Sequence, residues 1–336
     1  MSDGNGLARI RLKRVRGEDL TIQRHPRGRG FSYLDENGNT IRDTRTLARI
    51  RSLAVPPAYR DVRIAADPCA HLQALGRDEA GRIQHRYHPQ WDRVRERRKL
   101  KRLHALIGAL PGLRAAVARD MGSVTLNRDK ALACAVAIMD RGHIRVGHEV
   151  YAEANGSYGA STLLKRHVEL CGGRVELSFR GKGGKAIACA FADARLARAL
   201  QRLLRLPGRR LLQYCGEGGA SVPIRADEIN TYLRQITGMP ISSKDLRMLA
   251  GNAAAAELLL AADIEVSKAG RKRQLAHIMR DIAERLTNTP AVVRKSYVHE
   301  LVVRSFANGR LKASYEKSRA SSGCSRIERA LARLTA

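Results

Sequence analysis

The chain has 336 residues, of which 62 are Lys or Arg and 32 are Asp or Glu, so its formal net charge is +30. A hydrophobic content of 44% excludes a chain that is disordered throughout, and the length suffices for two or more domains with their own cores. A compact body this positive attracts polyanions, which makes nucleic acid the expected partner. Aromatic residues make up 4% of the chain, which disfavours a single-strand binder built on stacked bases and favours recognition of a duplex backbone.

Other classes of protein are disfavoured by the composition. The sequence has no apolar run of about 18 residues, no apolar segment of signal-peptide length at its start, and no basic amphipathic helix with an aromatic face. The six cysteines show no Cys-x-x-Cys spacing, so we interpret them as buried small hydrophobic residues in a reducing compartment and not as disulfides or zinc ligands. We therefore expect a cytoplasmic protein with no membrane contact and no metal site.

Short alternating segments predict a β-rich N-terminal domain over residues 17–90. Two hairpins are expected there, one with its turn at Asn37-Gly38 and one with its turn at 78–81, and a helix lies between them. Residues 1–16 are polar and basic, and we expect a disordered arm. Residues 91–104 predict a dense basic helix that links this domain to the next.

From residue 105 onward the pattern is mainly helical. We place a helical domain over 105–310 and a basic tail over 311–336, with one short helix expected in the tail at about 326–334. Three strand-like runs between 162 and 191 predict a small three-stranded sheet within the helical domain. The expected fold class is therefore α+β, with a small β-rich N-terminal domain and a larger, mainly α-helical domain. Helices are expected at about 127–140, 193–205, 225–237, 243–262, 268–286 and 290–306.

The last of these helices carries the most informative stretch. Thr289 is a suitable N-cap, and the proline that follows suits the first helical position, where its missing N–H has no partner in any case. Val293, Tyr297 and Leu301 then fall four residues apart, which predicts a face that packs inward and holds the tyrosine. A tyrosine on such a face usually serves packing alone, so its chemistry depends on its neighbours.

Four polar residues in separate segments would suit a tyrosine that attacks a phosphodiester, namely Arg145, Lys182, Arg247 and Asn288. A phenol has an unperturbed pKa near 10, so only about one part in a thousand is ionised at pH 7. Two guanidiniums would stabilise both the phenolate and the charge that develops on phosphorus, and a lysine on a tight turn would protonate the departing oxygen. Such a site requires no metal, but each residue taken alone is weak support.

The order of these residues resembles the type IB DNA topoisomerases of bacteria and poxviruses over about residues 15–308. The resemblance implies a C-shaped clamp, in which the β-rich N-terminal domain and the helical catalytic domain close around duplex DNA. It also implies relaxation of supercoils by transient single-strand nicking, with no ATP, metal or other cofactor, by a monomer at the bacterial nucleoid with no obligate protein partner. The matching motifs are Val55-Pro56-Pro57-Ala58-Tyr59, residues 76–89, Ile144-Arg145-x-Gly147, Gly181-Lys182, Lys244-Asp245-Leu246-Arg247, and Asn288-Thr289-Pro290 followed by Tyr297.

Carried over by position, the resemblance assigns a role to each residue. Tyr297 looks like the nucleophile that forms a 3′-phosphotyrosyl link and frees a 5′-hydroxyl. Arg145 and Arg247 would bind the scissile phosphate, and Lys182 would protonate the leaving 5′ oxygen. Gln84 and Tyr87 match positions that face the major groove, and Tyr151 matches a residue that contacts DNA beside the site. The same segments provide the further expected DNA contacts His148, Lys185 and Lys244.

Two positions depart from the family's pattern. Asn288 stands where many members have histidine, nine residues before the nucleophile. An amide donates a hydrogen bond but has no proton to exchange, so we assign Asn288 to transition-state binding only. His85 stands where a tyrosine is usual in the DNA-reading hairpin, which leaves any inherited preference for a cleavage sequence without support.

Two alternatives stay open on the sequence. A tyrosine recombinase or integrase shares this chemistry, but it typically carries a His-x-x-Arg box where this chain has Lys244-Asp245-Leu246-Arg247. No segment suggests the separate core-binding domain of such enzymes either. A non-catalytic basic nucleic-acid-binding protein would account for the net charge alone.

Overall fold

A computed structural model describes residues 11–265 and 267–336 of the chain. They divide into two compact units, the first ending at Arg98 and the second running from Lys99 to Ala336. The predicted α+β class is confirmed, because a five-stranded sheet dominates the first unit and helices dominate the second.

The sheet of the first unit is antiparallel, with its strands in the order β2-β1-β3-β4-β5. Helix α1 (Thr44–Ser52) lies between β2 and β3 in the chain, and the carboxylate of Asp43 caps it. The strands are β1 (Ile22–Arg27), β2 (Gly30–Leu34), β3 (Arg60–Ile64), β4 (Leu72–Arg77) and β5 (Ile83–Tyr87). The main core of this unit consists of Ile22, Ile50, Val62, Ile64 and Ala74.

The two predicted hairpins have different outcomes. The second is confirmed, since β4 and β5 pair through a turn that starts at Asp78. In the first region, Asn37-Gly38 joins Leu34 to Thr40 through one isolated bridge only. The main hairpin there pairs β1 with β2 around Gly28, where φ is +55°. A glycine in the left-handed region meets the requirement of a two-residue turn, and we did not predict this one.

The predicted arm over residues 1–16 lies partly outside the described residues. From residue 11 onward the expectation of disorder is wrong. The Lys13 N–H donates to the Cys69 carbonyl at 2.9 Å, and the Lys13 carbonyl accepts the His71 N–H at 2.8 Å. Val15 packs against a small apolar cluster of this unit. Backbone pairing of this kind holds the segment beside the sheet.

The second unit is mainly helical, and no helix within the described residues is both long enough and apolar enough to cross a membrane. Strands β6 (Val168–Cys171), β7 (Arg174–Arg180) and β8 (Ala186–Ala192) form the predicted three-stranded sheet in that order. A two-stranded ladder of β9 (Gln213–Cys215) and β10 (Ser221–Pro223) was not predicted. The helices are α2 (Trp91–Met121), α3 (Arg128–Gly142), α4 (Glu149–Asn155), α5 (Ala194–Leu203), α6 (Ala226–Thr237), α7 (Ser243–Leu260), α8 (Lys268–Arg285), α9 (Pro290–Ser296), α10 (Glu300–Ala307), α11 (Arg310–Glu316) and α12 (Arg326–Thr335).

Helix α2 is longer than the linker helix expected over 91–104. It has 31 residues and continues through Pro111, because apolar side chains recur at helical spacing beyond the basic run. The side chains that it buries include Leu103, Leu106, Ile107, Leu110 and Leu113.

Helices α3 and α7 provide much of the core of the second unit. Residues 130–139 of α3 are buried without interruption, and so is most of α7. Alanine is frequent in both helices, and such small side chains let neighbouring elements approach closely. Arg247 and Asn252 of α7 are removed from solvent in this core and need partners within the protein.

We expected residues 311–336 to form a basic tail with one short helix at about 326–334, and that helix is confirmed, but the segment also packs against the rest of the second unit. The helix is α12, whose capping box joins Ser325 and Glu328. Arg114 of α2 donates paired hydrogen bonds of 2.8–3.0 Å to the carboxylates of Asp140 and Glu328. The basic composition hid an apolar stripe, which consists of Ile327, Ala330, Leu331 and Leu334.

We expect Glu328→Gln to lower the free energy of unfolding by about 1.5–3 kcal/mol, the range for hydrogen bonds to a charged group. The amide would leave a donor of Arg114 without an acceptor. Urea unfolding at neutral pH measures this, with Glu316→Gln at the exposed end of α11 as the control. Equal midpoints for the two variants would show that the Arg114 cluster does not hold α12.

Candidate active site

The tyrosine and the basic residues predicted around it lie on one cavity of about 830 Å³ in the second unit. Its walls come from α4, α7, the turn between β7 and β8, and the end of α9, which are distant in sequence. The predicted site residues on the cavity are Arg145, His148, Tyr151, Lys182, Lys244, Arg247 and Tyr297. The other lining residues are Val146, Gly147, Asn155, Ser157, Tyr158, Arg180, Gly183, Gly184 and Ser243.

Tyr297 ends a helix and does not lie within one. The predicted cap is confirmed, since Thr289 accepts the N–H of the third residue of α9, but the continuous helix expected over 290–306 is divided into α9 and α10. Asn252 of α7 provides the physical reason. Its Nδ2 donates to the Tyr297 carbonyl at 2.8 Å, and its Oδ1 accepts the His299 N–H at 2.8 Å. Backbone groups that find partners on α7 do not need a continuous helix.

Gly251, the residue before Asn252, lies directly against Tyr297. A Cβ atom at position 251 would lie 2.9 Å from the Tyr297 Cβ and 2.9 Å from its carbonyl oxygen. Only glycine permits so close an approach between α7 and the tyrosine backbone. Two adjacent residues of α7 thus fix the backbone from which the phenol extends.

Hydrogen bonds hold the first turn of α7, which precedes Arg247 in the helix. The Ser242 N–H donates to Asp245 at 2.8 Å, and the same carboxylate accepts a hydrogen bond from Arg102 of α2. Lys244 follows the cap and is exposed at the cavity.

Arg247 is 4% exposed and reaches the tyrosine from the wall of α7. Its guanidinium donates to the His143 carbonyl and, at 2.7 Å, to the Leu286 carbonyl. The Arg247 Cζ lies 5.4 Å from the centre of the Tyr297 ring. Two carbonyls therefore hold the guanidinium beside the phenol.

Arg145 lies in an extended segment that follows α3. Helix α3 ends at His143, whose φ of +51° turns the chain. The Arg145 carbonyl accepts the Ala160 N–H at 2.8 Å. Gly147, with φ of +83°, lies against Gly159 so closely that a Cβ atom would meet its backbone at 3.0 Å. Pairing with this neighbouring turn fixes the direction in which Arg145 leaves the backbone.

Asn288 is oriented by Arg145. The Arg145 Nη2 donates to the Asn288 Oδ1 at 2.6 Å and to the Thr287 carbonyl at 3.3 Å, and Thr287 itself has a left-handed φ of +48°. The Lys185 Nζ donates to the Asn288 carbonyl at 3.1 Å. The Nδ2 of Asn288 and the Nε of Arg247 are buried, and neither has a hydrogen-bond partner of full geometry among the described residues. Both are donors that remain to be satisfied.

The electrostatics of this arrangement act on the phenol. Burial by itself raises the pKa of Tyr297, but the nearby Arg247 guanidinium lowers it, and the charge of Arg145 and the amide of Asn288 lower it further. The net pKa of Tyr297 lies below its ordinary value. The contacts of Arg247 and Asn288 with the hydroxyl are looser than full hydrogen bonds, so we attribute the shift mainly to charge.

Lys182 lies in the tight turn between β7 and β8, as predicted. Gly183 and Gly184 of this turn have φ of +72° and +73°, values that side chains rarely adopt. The lysine is exposed and lines the cavity, and it makes no hydrogen bond or ion pair within the part of the chain that the structure describes. Its ammonium group is accordingly available to a ligand.

The expected DNA contacts fall into two groups. His148 and Tyr151 are exposed on α4 beside the cavity. Gln84 and Tyr87 belong to β5 of the first unit, where alternation places them on opposite faces. The Gln84 amide donates to Asp78 at 2.9 Å, whereas the exposed Tyr87 stacks beside two neighbouring rings.

Three residues of the site were not predicted. Asn252 had one signal in the sequence, which is a lone amide within a run of alanines on a buried helix. Gly251 and Tyr158 had none that distinguished them from ordinary packing residues. Tyr158 lines the cavity and packs edge-on against His167, with ring centroids 4.6 Å apart.

The residues together define a class of site. A half-buried phenol of lowered pKa lies beside two guanidiniums, with unsatisfied donors and an exposed lysine next to it, in a strongly basic protein. Such a set binds a phosphate group and favours attack on it by the phenol oxygen.

Comparison with known proteins identifies the family. Residues 30–78 match the family model of the bacterial DNA topoisomerase IB N-terminal domain, and residues 88–322 match that of the eukaryotic DNA topoisomerase I catalytic core. The chain is 31% identical over 294 residues to a protein named DNA topoisomerase 1B from Acanthamoeba polyphaga mimivirus, an alignment that covers 85% of this chain and 88% of that relative. The chain therefore belongs to the type IB DNA topoisomerases, enzymes that relax DNA. This assignment decides against a recombinase and against a non-catalytic binding protein.

We expect Gly251→Ala to slow relaxation of supercoiled plasmid by about 10²-fold, the cost of misplacing a reacting group by about 1 Å. The added Cβ must displace Tyr297. Duplex affinity should stay unchanged, because the substitution alters none of the expected DNA contacts. Gly108→Ala in α2 is the matched control, because, apart from its chain neighbours and the adjacent helix backbone, no described residue has a heavy atom within 4 Å of a Cβ added there. A relaxation time course at the wild-type rate for Gly251→Ala would show that this contact does not position the tyrosine.

Proposed function

We propose that Tyr297 is the nucleophile that nicks one strand of duplex DNA. The phenolate oxygen attacks the phosphorus, the bond from phosphorus to the 5′ oxygen breaks, and a 3′-phosphotyrosyl link and a 5′-hydroxyl result. The duplex then turns about the intact strand and loses supercoils. Attack by the 5′-hydroxyl on the phosphotyrosyl bond restores the strand and releases the phenol. Each phosphodiester is exchanged for another, so the cycle requires no ATP.

The observation that supports this proposal is the position of Tyr297 beside the Arg247 guanidinium, whose charge, together with that of Arg145, lowers the pKa of the phenol in spite of burial. An ordinary phenol would need on the order of 4 kcal/mol to ionise at pH 7. A lowered pKa supplies part of that free energy before the substrate is bound. The same charges would stabilise the negative charge that develops on phosphorus, which removes the need for a metal ion.

Arg145, Arg247 and Asn288 would bind the scissile phosphate. A buried donor without an acceptor costs about 1–3 kcal/mol, and the Nε of Arg247 and the Nδ2 of Asn288 are two such donors at the site. A non-bridging phosphate oxygen would satisfy them. Asn288 would act by hydrogen bonding only, because an amide does not titrate.

Lys182 would protonate the leaving 5′ oxygen. Lys182 lies on a glycine-rich turn and lines the same cavity as Tyr297, so its ammonium group would be available to a phosphate bound there. We further propose that His148, Tyr151, Lys185 and Lys244 contact the DNA around the nick, with Gln84 and Tyr87 contacting it from the first unit. Since all five catalytic candidates come from one polypeptide, we propose that the enzyme acts as a monomer, in the cytoplasm at the nucleoid.

The wild-type protein is expected to relax supercoiled plasmid in EDTA without ATP, and Tyr297→Phe is expected to abolish relaxation while duplex affinity is retained. Agarose gels and a filter-binding titration measure the two properties. Tyr315→Phe, which alters a tyrosine that packs under Arg326, is the control and should relax normally. Relaxation by Tyr297→Phe would refute the nucleophile assignment.

The acid role of Lys182 has its own test. Lys182→Ala should cleave an ordinary duplex about 10²-fold more slowly or worse, the usual contribution of a positioned acid. It should approach the wild-type rate on a duplex with a 5′-bridging phosphorothiolate, because a thiolate leaves without a proton. Single-turnover cleavage of both substrates is the measurement. Lys185→Ala, on the same hairpin, should show no selective rescue, and equal defects of Lys182→Ala on both substrates would exclude proton donation.

A further inference from the structure

Helix α4 is a short element with little packing of its own. It spans Glu149–Asn155, and of these residues, all of which the structure describes, Ala152 alone is buried. Val150 and Tyr151 are 70% and 59% exposed. Seven residues with one buried side chain do not form a stable helix in water, so contacts at its ends must hold it.

The two ends of α4 are held differently. At the C-terminus, Gly156 adopts a left-handed φ of +56°, and its N–H donates to the Ala152 carbonyl at 3.1 Å. At the N-terminus, the side chain of the cap residue His148 accepts no capping hydrogen bond from the described residues. Instead of a side-chain cap, this end has an ion pair, in which Glu149 of the first turn accepts a hydrogen bond from Arg210.

Arg210 is a rigid anchor for that ion pair. Its backbone forms an isolated bridge with Leu164, and Leu211 beside it is fully buried. The Arg210 side chain is 18% exposed, against 53% for that of Glu149. The Arg210 Nη1 donates to the Thr162 carbonyl at 2.6 Å. The anchored guanidinium thus reaches outward to a helix that is otherwise free to unwind.

The same guanidinium is connected to the catalytic segment. Thr162 belongs to the turn over 159–162, whose Ala160 N–H holds the Arg145 carbonyl. Gly147, two residues beyond Arg145, lies against the Thr162 hydroxyl. Arg210 therefore contacts both the turn that positions a catalytic arginine and the helix that presents Tyr151.

We propose that Arg210 is a positioning residue that keeps α4 folded before DNA is bound. This rests on the proposed function in so far as α4 contacts the substrate. A preformed helix presents His148 and Tyr151 to DNA without an ordering cost at the moment of binding. Without the Arg210–Glu149 pair, α4 would have to fold when DNA binds, and the free-energy cost of ordering it would weaken binding. The chemistry of bound DNA would stay intact.

The proposal predicts a change in the free protein and a change in binding. In Arg210→Ala and in Glu149→Ala, hydrogen exchange of the amides over 151–157 should accelerate in the absence of DNA. If α4 is then formed about a tenth of the time, Kd for a short synthetic duplex should rise about tenfold. In Glu149→Ala, which leaves the contact of Arg210 with the Thr162 carbonyl in place, the single-turnover cleavage rate at saturating duplex should stay within about twofold of wild type. A general loss of structure would not allow this.

Two variants separate this effect from charge. Arg209→Ala removes the same positive charge from an exposed neighbour, whose side chain has no hydrogen bond or ion pair among the described residues, and should leave exchange over 151–157 unchanged. Glu149→Ala removes a negative charge and places a strong helix former in the first turn. Simple electrostatics predicts tighter DNA binding by Glu149→Ala, whereas the proposal predicts weaker binding.

Either of two results would overturn the proposal. One is unchanged exchange over 151–157 in both Arg210→Ala and Glu149→Ala, and the other is wild-type or tighter duplex binding by Glu149→Ala. Because Glu149 lies at the surface, its variant remains informative even if Arg210→Ala fails to fold. Exchange is measured without DNA, so an incorrect nucleophile assignment, which the Tyr297→Phe assay reveals, would leave this measurement interpretable.

Discussion

The site depends on holding two like charges close together beside a phenol. Burial lowers the pKa of Arg247 below its ordinary value, and the charge of Arg145 lowers it further. The lowered pKa shows that the surroundings of Arg247 are unfavourable for a charged guanidinium. A guanidinium nevertheless stays protonated at neutral pH. The compensation comes from backbone carbonyls, two of which belong to Leu286 and Thr287 in the connection between α8 and α9. Thr287 adopts a left-handed conformation there, which costs about 1–3 kcal/mol for a residue other than glycine. Favourable contacts elsewhere in the structure offset this cost, and in this conformation the carbonyls face the arginines.

Because backbone carbonyls hold the two arginines, only some of the donors at the site are left for a ligand. The terminal nitrogens of Arg145 and Arg247 are used for attachment to carbonyls and to the Asn288 Oδ1, so neither guanidinium is free to rotate. Among the described residues, the buried donors of the site that stay unsatisfied are the Nε of Arg247 and the Nδ2 of Asn288. A site with its donors already fixed needs little reorganisation when charge develops, and this is the main source of electrostatic catalysis in enzymes. The amide of Asn288 keeps this property across the range of about pH 5–8, where an imidazole would change its charge.

The sequence predicted those features that follow from local patterns or from motif spacing. The α+β class, the three-stranded sheet and the start of α9 at Thr289 follow from alternation, helical periodicity and capping chemistry. The presence of Arg145, Lys182, Arg247 and Tyr297 on one cavity was expected from a family motif and not from physics. The break after Tyr297 was beyond local reasoning, because it arises from the side chain of a residue 45 positions earlier. The packing of α12 was missed for another reason, which is that the charged residues of its exposed face obscured the apolar stripe.

Helix α7 explains why the phenol and its charge environment stay matched. Arg247 and Gly251 are four residues apart and lie on one face, and Asn252 is adjacent, so a single rigid element supplies the guanidinium, the close approach and the backbone clamp. A displacement of α7 moves the guanidinium and the tyrosine backbone together, and their separation is preserved. This arrangement requires that most of α7 be buried and that its neighbours approach closely. Gly251 therefore serves the position of the tyrosine as well as the core, because a larger side chain there would separate α7 from the Tyr297 backbone that it holds.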